Sequence, residues 1–251
     1  WRGAYGMLAG LALVLTVVTG IAPGWRLPAR PGGPENIGQA AGEPARSRLP
    51  PTSLWPPLVL SMAAFFAYTG TGIAAAQWFY SFLTAGQHAD SALAAAAVSG
   101  FWWGQTLIRA ASGFISVRLG PHLLIDGSLG AALVGAAALW LAPSDVARLL
   151  AMVLFGAGLG PVFPTLISLT PSQFGGRAVE VVGYQIAAAV VGGTAVATLT
   201  GLALQRWGLL LLPATLFAGV AAVLVFHHSG LWLARRAAGH VERQALERLD
   251  T

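Results

Sequence analysis

From Leu209 to Leu233 the chain carries no acid, lysine or arginine. Wound as an α-helix, such a stretch runs about 37 Å, longer than the ~30 Å hydrocarbon core of a bilayer. Six other stretches have the same character, at about 4–22, 57–84, 93–115, 123–142, 146–169 and 179–204. Only one basic residue, Arg109, falls deep inside any of them. Charged residues make up 9% of the chain, hydrophobic ones 56%, and the mean hydropathy is +0.69. A soluble domain carries about 25% charged residues. The expected fold is therefore an all-α membrane protein with seven transmembrane helices.

Their spacing divides them. Residues 23–54 hold several prolines, glycines and arginines and no apolar periodicity, which reads as a cytoplasmic linker. The other connections are short. The expected organisation is residues 1–22 as the last helix of a truncated preceding bundle, 23–54 as linker, 55–233 as a six-helix bundle, and 234–251 as a charged tail. The first residue is Trp1, and the first run is too long for a signal peptide and lacks its basic start. The reading is a C-terminal fragment.

The arginines set the expected orientation. With the N-terminus outside, Arg26, Arg30, Arg46, Arg48, Arg118, Arg177, Arg235, Arg236, Arg243 and Arg248 fall inside, and Arg2, Arg148 and Arg206 outside. The positive-inside rule selects that arrangement in a bacterial inner membrane, with the C-terminus cytoplasmic. It also accounts for the net charge of +5 without nucleic acid. There is no cysteine, which excludes disulfides and thiolate metal sites. No Ser/His/Asp or paired-carboxylate arrangement lies at membrane depth. "GAGLGP" is no phosphate loop, since no strand precedes it. The chain is expected to be no enzyme and to hold no cofactor or metal.

An arginine near mid-helix costs about 2.5–3.5 kcal/mol on insertion scales and so faces a bundle interior or a watery cavity. Around Arg109, the residues Trp102, Gln105 or Thr106, Ser112 or Gly113, and Ser116 follow three- and four-residue spacing. They form one polar stripe. Lining a pathway is the expectation; snorkelling to the inner headgroups is the alternative. The second run adds Tyr68, Thr71, Gln77 and Trp78, aromatic faces with polar handles that suit sugar-like or amphipathic solutes. The sixth adds Tyr184 and Gln185, the latter bonding either a ligand or a neighbouring helix.

Small residues punctuate two runs, "FAYTGTGIAAAQW" and "LFGAGLGPVFPTL". If the six helices are two inverted three-helix repeats, these two correspond. Paired Gly/Pro interruptions mark a transporter's binding site. Gly156, Gly160, Pro161 and Pro164 are the expected hinge, with tight helix packing the alternative.

"GFISVRLG" resembles the cytoplasmic loop signature of the major facilitator superfamily. Gly113, Arg118 and Gly120 match, and Val117 replaces its Asp. Within that superfamily, Tyr68, Gly70, Gln77 and Trp78 resemble the fucose permease-like branch, with Thr71 in place of a Glu. Trp102 or Trp103 and Arg109 resemble its next helix, with Ile108 in a Gly position. "GLGPVFPTLISLTP" and "VVGYQIAAAVVGG" resemble its tenth and eleventh helices. The resemblance implies a twelve-helix carrier of two bundles. It would move a small polar solute, sugar-like by family default, by alternating access, with or without a co-transported proton. Its partners would be the solute, the lipid bilayer and the missing N-terminal bundle. A coupling carboxylate would lie in that missing half. A seven-helix, N-out receptor or sensor is the competing reading, and the Pro-rich linker and paired interruptions favour the carrier.

Overall fold

The computed structural model describes residues 55–247. The expected helix over 4–22, the linker over 23–54 and the last residues of the tail lie outside that range. All elements among the described residues are helical: α1 (Trp55–Ser81), α2 (Ser91–Leu119), α3 (Pro121–Leu141), α4 (Asp145–Leu159), α5 (Val162–Phe174), α6 (Ala178–Trp207) and α7 (Leu212–Glu247). A π-helical turn, Phe82–Gly86, extends α1, and 3-10 turns at Gly175–Arg177 and Leu209–Leu211 precede α6 and α7.

The ends follow local chemistry. Asp90 caps α2, its carboxylate accepting from the N–H groups of Ala92 and Leu93 at 2.9 and 3.3 Å. Gly120, at φ 75°, ends α2 and donates to the Ser116 carbonyl, and Pro121 starts α3. The loop signature is thus mostly helix. Gly113 and Arg118 lie on the last turns of α2, and Gly120 alone makes the turn.

Four stretches are long and apolar enough to cross a membrane: Trp55–Gly86, Pro121–Leu141, Asp145–Trp207 and Leu209–Ala234. The third has 63 residues, about 95 Å if straight. It is interrupted at Gly160–Pro161, and its helix α5 ends at Gly175, at φ 54°. α2 is long enough but is not among the four. Gln105, Thr106, Arg109, Ser112 and Ser116 lower its hydropathy, so the third expected span differs from the others for the reason that makes it interesting.

α1 packs against α6 and α7, while α4 packs against α2 and α3, and α3 also meets α7. The core between them is built of Phe65, Phe79, Phe101, Phe155, Leu129 and Met152, all essentially inaccessible. Phe79 sets its edge against both Phe101 and Phe155 at 5.4 and 6.0 Å.

α2 and α4 approach closely along glycines. A Cβ on Gly104 would sit 2.5 Å from the Val153 carbonyl oxygen, one on Gly160 2.6 Å from that of Gln105, and one on Gly156 would collide with the Phe101 carbonyl. Small residues on both helices let the backbones touch, the usual solution where lipid supplies no hydrophobic drive.

Candidate functional site

The expected hinge is a break. α4 stops at Leu159 and α5 starts at Val162, with Gly160 and Pro161 between. Proline has no N–H. Pro164 therefore cannot donate to the Gly160 carbonyl four residues back, nor Pro161 to that of Ala157. Gly160 itself donates to Gly156 and Ala157 at 3.1 and 3.2 Å, closing α4. α5 begins afresh with Thr165 N–H on Pro161 O at 3.1 Å.

The carbonyls at the break meet side chains. Arg109 Nε donates to Gly160 O at 3.1 Å, and its Nη2 to Tyr68 Oη at 3.3 Å. Tyr68 Oη in turn donates to Leu159 O at 2.9 Å. Three elements, α1, α2 and the α4–α5 junction, thus close on one node, and Arg109 also sits at the carbonyl end of α4, where a cation is favoured. Among the described residues, the partners of Arg109 are a backbone carbonyl and a tyrosine hydroxyl. Gln105 is buried one turn from Arg109 on α2.

The corresponding interruption in α1 is absent. Its helix runs through Gly70, Thr71 and Gly72 unbroken. Gly70 there meets Val196 and the Gly192 carbonyl of α6, so it serves contact between helices. Around Gly70–Gly72 every N–H is retained, whereas the α4–α5 junction loses two, at Pro161 and Pro164. Thr71 is buried against Gly219 of α7, its hydroxyl donating to the Ala67 carbonyl at 2.7 Å.

Gln77 lines a groove between α1 and α6 of about 360 Å³, with Thr69, Ile73, Gly193, Thr194 and Thr198. Trp78, its neighbour, ties the two helices by donating from Nε1 to the Ala197 carbonyl at 3.1 Å. The groove's threonines escaped the sequence reading. The signal was there as four-residue spacing, Thr69–Ile73–Gln77 on α1 and Val190–Thr194–Thr198 on α6.

Gln185 makes a buried knot. Its Nε2 donates to Ser61 Oγ at 2.6 Å and its Oε1 accepts from Thr170 at 3.1 Å, joining α6 to α1 and α5. Gln185→Leu is expected to leave Ser61 and Thr170 without these partners and to cost about 1–3 kcal/mol. Thermal unfolding in detergent measures it; an unchanged midpoint would refute the knot. Tyr184 is half exposed in a cleft with Trp55, Phe174, Arg177 and Glu180, and its hydroxyl donates to Glu180 at 3.3 Å. Trp102 is exposed and stands edge-on to Phe101 at 5.2 Å.

No curated protein matches the chain in sequence. The family model described as Major Facilitator Superfamily matches residues 1–195 of its 251. That match spans most of the chain, including the α4–α5 break and the Arg109 node, and with the multi-pass helical fold it places this membrane transporter in the Major Facilitator Superfamily.

Proposed function

We propose that the chain forms the second bundle of a two-bundle carrier, moving a small polar, sugar-like solute across the cytoplasmic membrane by alternating access. The observation that carries this reading is the broken α4–α5 helix, with its freed carbonyl held by Arg109 rather than by backbone. Irregular backbone at membrane depth is tolerated where it is buried in protein or lines a cavity.

The packing scheme supports two inverted three-helix repeats. Let α1 correspond to α4–α5, α2 to α6, and α3 to α7. The contacts α1–α6 and α1–α7 then map onto α4–α2 and α4–α3, and α3–α7 maps onto itself. The pathway would run along the α1–α6 groove, through Gln77, Thr194 and Thr198, and past Tyr68, Gln105 and Arg109. Trp78 and Gln185 would hold its walls. Trp102 and Tyr184 would flank it, and Thr71 would back it from the α7 side. Residues matching the fucose permease-like branch support the sugar-like solute. A co-transported proton would need a carboxylate elsewhere, since Thr71 stands where that pattern has Glu. The arginine distribution supports an N-out, C-in placement.

These 251 residues contain no cysteine, so an introduced thiol has no competitor among them. Single cysteines at Gln77 and Thr194 in the full-length protein are expected to react with membrane-impermeant thiol reagents from both faces of the membrane. Reaction from one face alone, under every condition, would sink alternating access.

Pro164→Ala restores an N–H opposite the Gly160 carbonyl. It is expected to compete with Arg109, stiffen the break and raise the unfolding midpoint while slowing two-sided labelling several-fold. Labelling rates equal to those of the parent would show that the break does not move.

A further inference from the structure

Arg109 is one of the eight arginines within the described range, and it differs in how its guanidinium is used. A guanidinium has five N–H donors in two forks, Nε with Nη2 along the side and Nη1 with Nη2 at the end. The side fork is occupied by Gly160 O and Tyr68 Oη. Those two bonds fix the plane and direction of the group. Among the described residues, no carbonyl, hydroxyl or carboxylate accepts from Nη1, and the recorded ion pairs join Arg148 to Asp145 and His228 to Asp126, not Arg109 to any acid.

The position excludes a simple escape to headgroups. Arg109 lies ten residues before Leu119, about 15 Å up the helix from the end of α2. Its side chain is turned towards the break, in the middle of the α4–α5 run, rather than down the helix. Arg109 as a whole residue nonetheless stays exposed among the described residues, and its guanidinium bonds are only part-buried. A held end fork with no neutralising acid among the described residues matches the planar, two-oxygen geometry of a carboxylate. A neutral sugar would meet the guanidinium with hydroxyls alone and leave its charge uncompensated.

We infer that Arg109 is the specificity residue for an anionic solute, its end fork taking a carboxylate while Gly160 and Tyr68 hold its side fork. This rests on the carrier reading and narrows it. The solute is a small acid whose carboxylate meets the end fork of Arg109. Tyr68 is a positioning residue here, since its hydroxyl accepts from Arg109 and donates to the Leu159 carbonyl.

The experiment uses the full-length protein in zwitterionic-lipid vesicles and matched acid and neutral probes: gluconate with glucose, galacturonate with galactose, lactate with lactamide, benzoate with benzamide. Binding is read by equilibrium dialysis at pH 7. At least one acid is expected to bind about 10-fold or more tightly than its neutral partner. Arg109→Gln is expected to erase that preference, and Arg109→Lys to keep its sign with about 10-fold weaker binding, because an ammonium is a point charge without a fork. Equal binding within every pair, no binding by any acid, or an acid preference that survives Arg109→Gln overturns the inference. Should Arg109→Gln fail to fold, the lysine variant decides, and unchanged affinity there overturns it. Flux through the vesicles separates this from the carrier reading. Flux of a neutral probe, indifferent to Arg109, defeats the anion inference alone; binding with no flux of any probe defeats the carrier.

Discussion

Gly156→Ala is expected to lower stability by about 2–3 kcal/mol, the upper part of the overpacking range. The added methyl would collide with the Phe101 backbone carbonyl, and backbone on both sides cannot rotate away as a side chain can. The helices α2 and α4 must then separate. That separation reaches the site, because Gly104 and Gly160 seal the same interface and Gly160 presents its carbonyl to Arg109 across it. Two-sided thiol labelling should therefore fall along with the unfolding midpoint. Gly127→Ala is the control. It is also helical, but nothing lies within 4 Å of the position its Cβ would take. Alanine there is expected to be neutral or slightly stabilising, since glycine costs up to about 1 kcal/mol within a helix. A Gly156→Ala protein as stable as Gly127→Ala would show that the close α2–α4 contact does not exist.

That contact shows where sequence reasoning was sharp and where it was blind. The break at Gly160 and Pro161 was legible because proline removes a donor whatever the tertiary setting, whereas Gly156 lies inside unbroken α4, packed on the Phe101 backbone. The similar-looking Gly70–Thr71–Gly72 was not an interruption. Glycine only permits a break, and whether it makes one depends on a partner, here Val196 and Gly192 on α6, that no local pattern names. Helix existence was legible from the apolar runs. The reach of α2 to Leu119 was not, because the polar stripe around Arg109 also erodes its apolar signal. Arg109 stood out by cost alone, but its partners did not, since both the Gly160 carbonyl and the Tyr68 hydroxyl come from elsewhere in sequence. Gln185 was left between ligand and neighbouring helix, and the neighbours Ser61 and Thr170 take up its bonds.

Arg109→Ala in the full-length protein is expected to reduce transport about 10- to 100-fold, against less than about 2-fold for Arg118→Ala. The size follows from what each arginine touches. Removing Arg109 takes the donor from the Gly160 carbonyl, which Pro164 cannot replace, and removes a charged partner from Tyr68. Hydrogen bonds to a charged group contribute about 1.5–3 kcal/mol, and each 1.4 kcal/mol is a factor of ten. Arg118 lies on the exposed last turn of α2, where its charge favours the helix end by a few tenths of a kcal/mol to about 1. Uptake into vesicles, with the amount of folded protein matched by size-exclusion, measures both. Tyr68→Phe divides the Arg109 effect. It keeps the guanidinium on Gly160 but removes the bond to Leu159, so its transport should fall between those of the parent and Arg109→Ala. If Tyr68→Phe and Arg109→Ala lose the same amount, the node acts as one clamp on the break. If Tyr68→Phe is nearly silent while Arg109→Ala is severe, the end fork and the solute it meets carry the function.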